Sequence, residues 1–200
     1  MQKPIFVVIS KTNTTVGTQS LANAYNHVSI SFSKDLNVMY AFSRYRINSP
    51  LVGGFVAEKP ARYLLNDIPT PIKIYMLMAD EEDYDAIRGK IDKFAKNRKR
   101  YIYNTYGAIA RSMGKEKKVK NAFTNVEFVC NVLEIKGVKT IQHLERELEF
   151  FRVYTGTLEK YLHGEYECDD VYFSRRHPMK VVGETVSHFA KLTKRSIFGK

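Results

Sequence analysis

Short apolar runs separated by polar turns predict β-strands in the first part of the chain. Residues 5–9 (IFVVI) form one such run, which is too short for a helix and is typical of a buried strand. Residues 27–32 alternate between polar and apolar positions, as a half-buried strand does. A polar turn separates them from another strand over 38–44. These two strands therefore form a hairpin, with His27 at one outer end.

Glycine, proline and polar residues mark the breaks in this strand pattern. Pro50, Gly53 and Gly54 predict a loop, after which residues 73–78 return to strand. The stretch 18–25 has the composition of a short helix. The segment thus contains four predicted strands and one short helix.

Apolar positions at helical spacing predict four helices in the remainder of the chain. The first starts at Asp80, because acids crowd its first turns and basic residues its end, as the helix dipole favours. Two more run over 124–134 and from Thr140. The sequence Val171–Phe173 is typical of a last strand, and residues 181–192 follow as an amphipathic helix.

The composition fits one compact domain of the α+β class. Of the 200 residues, 44% are hydrophobic, which is enough for a single sizeable core. No apolar run approaches the ~20 residues of a membrane span, and the run near the start is too short for a secretory signal. We therefore expect residues 1–165 to form the domain and residues 166–200 to form a basic extension docked on it. The expected location is the cytoplasm, or a virion if the gene is viral.

The cysteines and histidines do not predict a metal or a cofactor site. Cys130 and Cys168 lie in dissimilar surroundings, without a disulfide or zinc pattern. Four histidines lie in polar contexts without metal-ligand spacing, which predicts a surface position for each. They are His143, His163, His177 and His188. We therefore expect no metal and no cofactor.

Positive charge is concentrated in two segments. The net charge is +11, and residues 88–120 hold twelve Lys/Arg against two acids, while residues 171–200 hold seven against one. Such asymmetry indicates either a binding surface for nucleic acid or another polyanion, or a solvated helix end and a basic tail. The solvated surface is the simpler interpretation, because no zinc-finger, RNP or helix-turn-helix signature accompanies the charges.

Several stretches resemble the circularly permuted papain-like hydrolases of the NlpC type. The most specific is FTNVEFVCNVL at 123–133, which is similar to the family's nucleophile helix, aromatic-Thr/Cys-Cys-Ser-x-Phe-Val. Weaker similarities follow in the same order along residues 3–165. They are YNHVSIS (25–31), MYAFSR (39–44), GGFV (53–56), YIYN (101–104) and YTGTL (154–158). The resemblance implies a papain-like core, in which this helix packs on a small antiparallel sheet and the active site lies in the groove between them.

The resemblance also assigns roles to particular positions. It implies a catalytic cysteine at position 125, where this chain has Asn125, and a catalytic histidine at His27. A thiol at a helix start is activated by the dipole and by the histidine, whereas an asparagine amide cannot ionise. Asparagine does suit the N-cap position of the helix. The other candidates are Ser43 or Tyr40 as the third catalytic member, and Tyr40, Tyr103 and Asn104 as groove-lining residues.

Cys130 is the alternative nucleophile. It lies five residues after position 125, about 140° around the helix. Its apolar neighbours indicate a small core residue. Cys168 is a weaker candidate, because Asp169 and Asp170 beside it raise a thiol pKa.

The sequence therefore predicts a catalytically degenerate papain-like protein that acts as a binding or assembly module, with a protein or peptide ligand in its groove. Two alternatives stay open. One is an active cysteine amidase or peptidase that uses Cys130 and His27. The other is a basic polyanion-binding or virion-associated protein that uses residues 88–120 and 171–200.

Overall fold

A six-stranded antiparallel sheet forms the centre of the structure, a computed structural model that describes residues 1–12, 25–64, 68–163 and 170–199. Its strands are β1 Lys3–Ser10, β2 His27–Ser31, β3 Met39–Arg44, β4 Gly53–Glu58, β5 Pro71–Ala79 and β8 Arg152–Thr157. They lie in the order β4-β3-β2-β1-β5-β8, and every neighbouring pair is antiparallel. Two short strands, β6 Ile102–Tyr103 and β7 Ala122–Phe123, form a separate parallel pair.

Six α-helices occur in the described part of the chain, and with the sheet they confirm the predicted α+β class. They are α1 Glu81–Lys96, α2 Thr105–Ser112, α3 Asn125–Val132, α4 Ile141–Leu148, α5 Leu158–Tyr161 and α6 Pro178–Phe198. None of these helices is both long and apolar enough to cross a membrane.

Both faces of β1 are buried, which explains its continuous apolar sequence. Val7 and Ile9 point to the face that α1, α3 and α4 cover, which we call the helical face. Phe6 and Val8 point to the opposite face, where Leu158 of α5 packs, and which we call the α5 face. The central strands β1 and β5 therefore divide their side chains between two apolar layers.

The loop predicted at Gly53 and Gly54 is wrong, because both residues belong to β4. A side chain at position 53 would collide with the carbonyl oxygen of Ser43, and one at position 54 would collide with the Tyr45 hydroxyl. Glycine is needed here because the neighbouring backbone and a ring approach the strand closely, not because the chain turns.

Side-chain caps fix the starts of α1 and α3. Asp80 accepts a hydrogen bond from the Asp83 backbone N–H at 2.8 Å, which confirms the predicted start of α1. At α3 the cap is Thr124, so the prediction of Asn125 as the N-cap is wrong. The Thr124 hydroxyl accepts from the Glu127 N–H at 3.3 Å, and the Glu127 carboxylate accepts from the Thr124 N–H at 2.7 Å. This capping box makes Asn125 the first residue inside the helix.

Residues 170–199 pack against the rest of the protein. The strand predicted at Val171–Phe173 is wrong, because this segment is a 3-10 helix. The Asp170 carboxylate accepts from the Tyr172 N–H at 2.7 Å and so closes the turn. Further on, Leu192 of α6 is fully buried in a small apolar cluster with β6 and β7. The short helix predicted at 18–25 falls, apart from Tyr25, outside the described residues, and so does Cys168.

Candidate functional site

The start of α3 lies against the beginning of β2. Asn125 is buried there, and its Nδ2 donates to the carbonyl oxygen of Asn26 at 3.2 Å. Its Oδ1 accepts from the N–H of Val126 at 2.8 Å. The side chain at the predicted nucleophile position is therefore held by the chain itself, beside the residue that precedes His27.

The His27 side chain belongs to the other face of the sheet. Its Cα partner on β1 is Ser10, and alternation along β2 places Val28 on the helical face and His27 on the α5 face. The His27 Nε2 lies 2.9 Å from a Glu58 carboxylate oxygen and 2.9 Å from the Tyr63 hydroxyl. The structure thus brings α3 to β2 but gives the histidine ring partners on the face opposite α3.

Glu58 is the centre of a buried ionic network. Its side chain is fully buried, and its Oε1 accepts from Arg62 Nη1 at 3.1 Å. The Tyr63 hydroxyl donates a short hydrogen bond to Oε2. Arg62 Nη2 in turn donates to Asp170 at 2.9 Å, which joins the sheet to the C-terminal segment. Burial alone would raise the pKa of Glu58, but the interactions with His27 and Arg62 outweigh it and lower the pKa to about 2.

Ser43 and Tyr40, the candidates for the third catalytic member, lie on β3. Ser43 is half-buried and pairs with Gly54 of β4. Tyr40 is also half-buried and packs at the helical face, where its ring stacks on Phe55 with a centroid distance of 6.1 Å. The acceptor that the structure gives to the His27 ring is instead the Glu58 carboxylate.

Sequence reasoning missed the Glu58 network. The spacing of Glu58 and Arg62 was a visible signal, because residues four apart often form ion pairs on a helix. Here, however, Glu58 ends a strand and Arg62 lies in a 3-10 helix, Pro60–Arg62. The strand itself was not predicted, so no pattern indicated that this carboxylate is buried.

Cys130, the alternative nucleophile, is packed in the apolar cluster of the helical face and is only 8% exposed. Burial raises the pKa of its thiol to about 11, against a weaker opposing effect of Arg111. A reactive cysteine needs the opposite change, since the thiolate is the nucleophile. The surroundings of Cys130 are those of a core residue.

Tyr103 and Asn104 lie beside the start of α3. Asn104 is completely buried and caps α2 by accepting from the Gly107 N–H at 2.9 Å, while its Nδ2 donates to the Lys117 carbonyl at 2.9 Å. Tyr103 is half-buried, and burial raises the pKa of its hydroxyl. Arg111 of α2 completes the contact by donating to Thr124 at 3.0 Å. These side chains hold β6 and α2 against α3.

A surface groove of about 560 Å³ lies between the end of α1, the start of β4 and α6. Its lining includes Lys99, Lys180, Lys191, Tyr45 and Tyr101. We call it the basic groove. It draws on both of the basic segments that stand out in the sequence, one at the end of α1 and the other in α6.

His188 also lines the basic groove, and its predicted surface position is wrong, because it is only 4% exposed. Its Nε2 lies 3.3 Å from the Thr105 hydroxyl. Burial lowers the pKa of His188, and the charges of Lys191 and Arg195 lower it further. A hydrogen bond with the Tyr103 backbone acts in the opposite direction and raises it. Its polar sequence neighbours misled the prediction, since they lie on other sides of α6.

In the described ranges, no group of three or more His, Cys, Asp or Glu side chains is arranged to hold a metal ion. Comparison of the chain with models of protein families, with curated proteins and with solved structures finds no match. The arrangement of the chain's own residues therefore carries the functional interpretation.

Proposed function

We propose that this protein is a non-catalytic binding module with a core of the permuted papain-like type. The observation that carries the proposal is the side chain at position 125. Asn125 stands at the start of α3, where the resemblance implies a cysteine, and both ends of its amide are bonded to backbone groups. A neutral amide, bonded here at both its nitrogen and its oxygen, cannot act as a nucleophile at this place.

The packing of α3 supports the papain-like part of this proposal. Residues of α3 contact β2 and β3, two antiparallel strands that precede it in the chain. This is the order that the resemblance implies, with the histidine strand before the nucleophile helix. The Nδ2 of Asn125 reaches the residue next to His27, so the helix start and the histidine strand meet.

The surroundings of Cys130 and His27 support the non-catalytic part of the proposal. An active site needs a thiol of low pKa and a histidine that faces it. Burial raises the pKa of Cys130, and the His27 ring is bonded to Glu58 on the α5 face. An amidase or peptidase that uses Cys130 and His27 would need both arrangements to change.

Thiol labelling tests the proposal. The native protein is treated with iodoacetamide at about pH 6, where a thiol of ordinary pKa, ~8.5, reacts slowly. We expect slow labelling of Cys130 at a rate that His27→Ala leaves unchanged, with mass spectrometry assigning the adduct. Fast labelling of Cys130 that depends on His27 would overturn the proposal and identify a working cysteine hydrolase.

A cysteine placed at position 125 tests the resemblance separately. In a Cys130→Ala background, Asn125→Cys introduces a thiol into the first turn of α3, where the helix dipole lowers a thiol pKa. We expect this thiol to label faster at pH 6 than Cys130 does in the native protein. A cysteine at 125 that is no more reactive than Cys130 would count against a nucleophile-helix origin for α3.

A further inference from the structure

The two basic segments of the sequence meet on one surface at the basic groove. Lys99 follows α1, whereas Lys180 and Lys191 belong to α6, and all three line the same groove. Beside it, Arg195 donates to the Asn121 carbonyl at 3.0 Å. Burial lowers the pKa of Arg195, and the nearby charge of Arg100 lowers it further. Folding thus brings three lysines from the two basic segments to one groove.

The groove lysines are not neutralised by the protein. Within the described ranges, Lys99, Lys180 and Lys191 form no ion pair, and all three are exposed. Glu184 is the single acid among the described residues that line the groove, and it lies 3.9 Å from Arg176. Three exposed ammonium groups on one groove give it a positive potential that attracts an anion.

The lining of the groove bears on the class of anion. The groove has a volume of about 560 Å³ and is open to solvent. Tyr45 and Tyr101 line the groove with half-buried side chains, and the Tyr101 ring also packs on Phe94 at a centroid distance of 4.6 Å. Proteins that bind single-stranded nucleic acid combine a positive groove for the phosphates with aromatic rings on which bases stack.

We propose that the basic groove binds single-stranded nucleic acid, with Lys99, Lys180 and Lys191 on its phosphates. This inference deepens the proposed binding function and rests on it. The groove uses none of the residues at the start of α3, so the binding experiment and the thiol experiments can fail independently. RNA and DNA share the phosphate backbone, and both are included in the test.

An anionic membrane is the competing partner, because α6 also carries exposed apolar side chains. Met179, Val182 and Val186 are exposed by 74%, 58% and 64%. At 100° per residue they lie on a different side of α6 from the groove lysines. A planar bilayer contacts protruding surfaces, whereas the groove lysines line a recess, and this difference favours a single strand.

The experiment measures the fluorescence anisotropy of labelled single-stranded RNA and DNA of about 20 nucleotides with the full chain. The test variant combines Lys99→Gln, Lys180→Gln and Lys191→Gln. Each phosphate contact to a single strand contributes about −0.7 to the slope of log K against log salt. We therefore expect binding roughly 100-fold weaker at ~0.1 M salt, and a slope shallower by about 2.

A matched control variant combines Lys34→Gln, Lys136→Gln and Lys160→Gln, three exposed lysines outside the groove lining. It has the same net charge as the test variant, and we expect its affinity to stay within about threefold of the native value. Circular dichroism verifies that both variants are folded. Equal losses in the two variants would overturn the proposal, because net charge alone would then explain binding.

Two further outcomes would also overturn the proposal of nucleic-acid binding. One is the absence of anisotropy change with either nucleic acid at ~20 mM salt, where phosphate contacts are strongest. The other is co-sedimentation with phosphatidylserine-containing vesicles that excess oligonucleotide does not reverse, which would assign this surface to a membrane. Oligonucleotide binding that vesicles fail to displace, and that the groove variant loses, supports the proposal.

Discussion

At the start of α3 the polar side chains are bonded to other parts of the chain, whereas in the basic groove the ammonium groups face solvent. The Asn125 amide donates to the carbonyl of Asn26, just before β2, and the Thr124 hydroxyl accepts from the Glu127 N–H. Lys99, Lys180 and Lys191 have no carboxylate partner in the described part of the chain. The first region uses its polar groups for structure, and the second leaves them available to a ligand.

The same comparison applies to the two buried histidines. His27 lies in a network with a carboxylate, a guanidinium and a tyrosine. His188 lies among positive charges, which together with burial lower its pKa. The His27 ring is bonded to a carboxylate of the fold, whereas the charged groups near the His188 ring are the positive side chains of Lys191 and Arg195.

The largest expected effect is on the Glu58 network. Glu58→Gln keeps the shape of the side chain but removes the carboxylate charge that is paired with the buried Arg62 guanidinium. We expect a loss of about 3 kcal/mol in the free energy of unfolding, measured with urea at pH 7. The matched control is Glu81→Gln, which breaks the exposed pair with Lys3 at 2.9 Å and should have a much smaller effect on the free energy of unfolding.

Acid titration sharpens this prediction. The folded pKa of Glu58, about 2, lies below its ordinary value of 4.5, so the stabilisation is present above about pH 4.5 and is lost as the pH falls toward 2. The difference in stability between the native protein and Glu58→Gln should therefore shrink over this range. A difference that stays constant from pH 7 to pH 3 would mean that the carboxylate charge does not stabilise the network.

The next effect concerns the contact between α3 and β2. Asn125→Ala removes the donor to the Asn26 carbonyl at 3.2 Å, and we expect a cost of about 1 kcal/mol in urea unfolding. The control is Asn131→Ala, an exposed position on the same helix, where alanine should be neutral or slightly stabilising. Equal effects at the two positions would mean that the Asn125 amide does not hold the helix to the sheet.

The smallest effect is a pKa change in the basic groove. A phosphate beside Lys191 and Arg195 offsets the charges that, with burial, lower the pKa of His188. Thr105 and the Tyr103 backbone, which also contact His188, carry no formal charge at neutral pH, and Glu184 lines the same groove one turn earlier on α6. We expect the pKa of His188 to rise, by less than about 1, when saturating single-stranded oligonucleotide binds.

NMR titration of the ring protons measures this pKa, with His143 of α4 as the internal reference. An unchanged His188 would place the oligonucleotide elsewhere.

Local patterns predicted much of the fold. The apolar run at 5–9 gave β1, and the acids after Asp80 gave the start of α1, because burial and capping act on neighbouring residues. Other features depend on contacts between distant segments. Gly53 begins a strand because the Ser43 backbone lies beside it, and His188 is buried because α6 packs near Thr105. The periodicity of the sequence does not indicate such contacts between distant segments.

The candidate site was predictable to a similar extent. The sequence indicated Asn125 and the two basic segments, since both are visible as residue types at given positions. It did not indicate that Glu58 would contact His27, or that Lys99 and Lys191 would line the same groove. These pairings depend on sheet order and on the docking of α6, which only the folded chain defines.

The central place of β1 has a consequence for synthesis of the chain on the ribosome. β1 can pair with β2 once Ser31 has emerged, but its other edge waits for β5, which begins at Pro71, about 40 residues later. At roughly 5–20 residues per second, an apolar strand edge stays unpaired for several seconds. A nascent chain that pauses in this interval exposes this apolar edge for longer, so we expect the translation rate between β2 and β5 to affect the yield of folded protein.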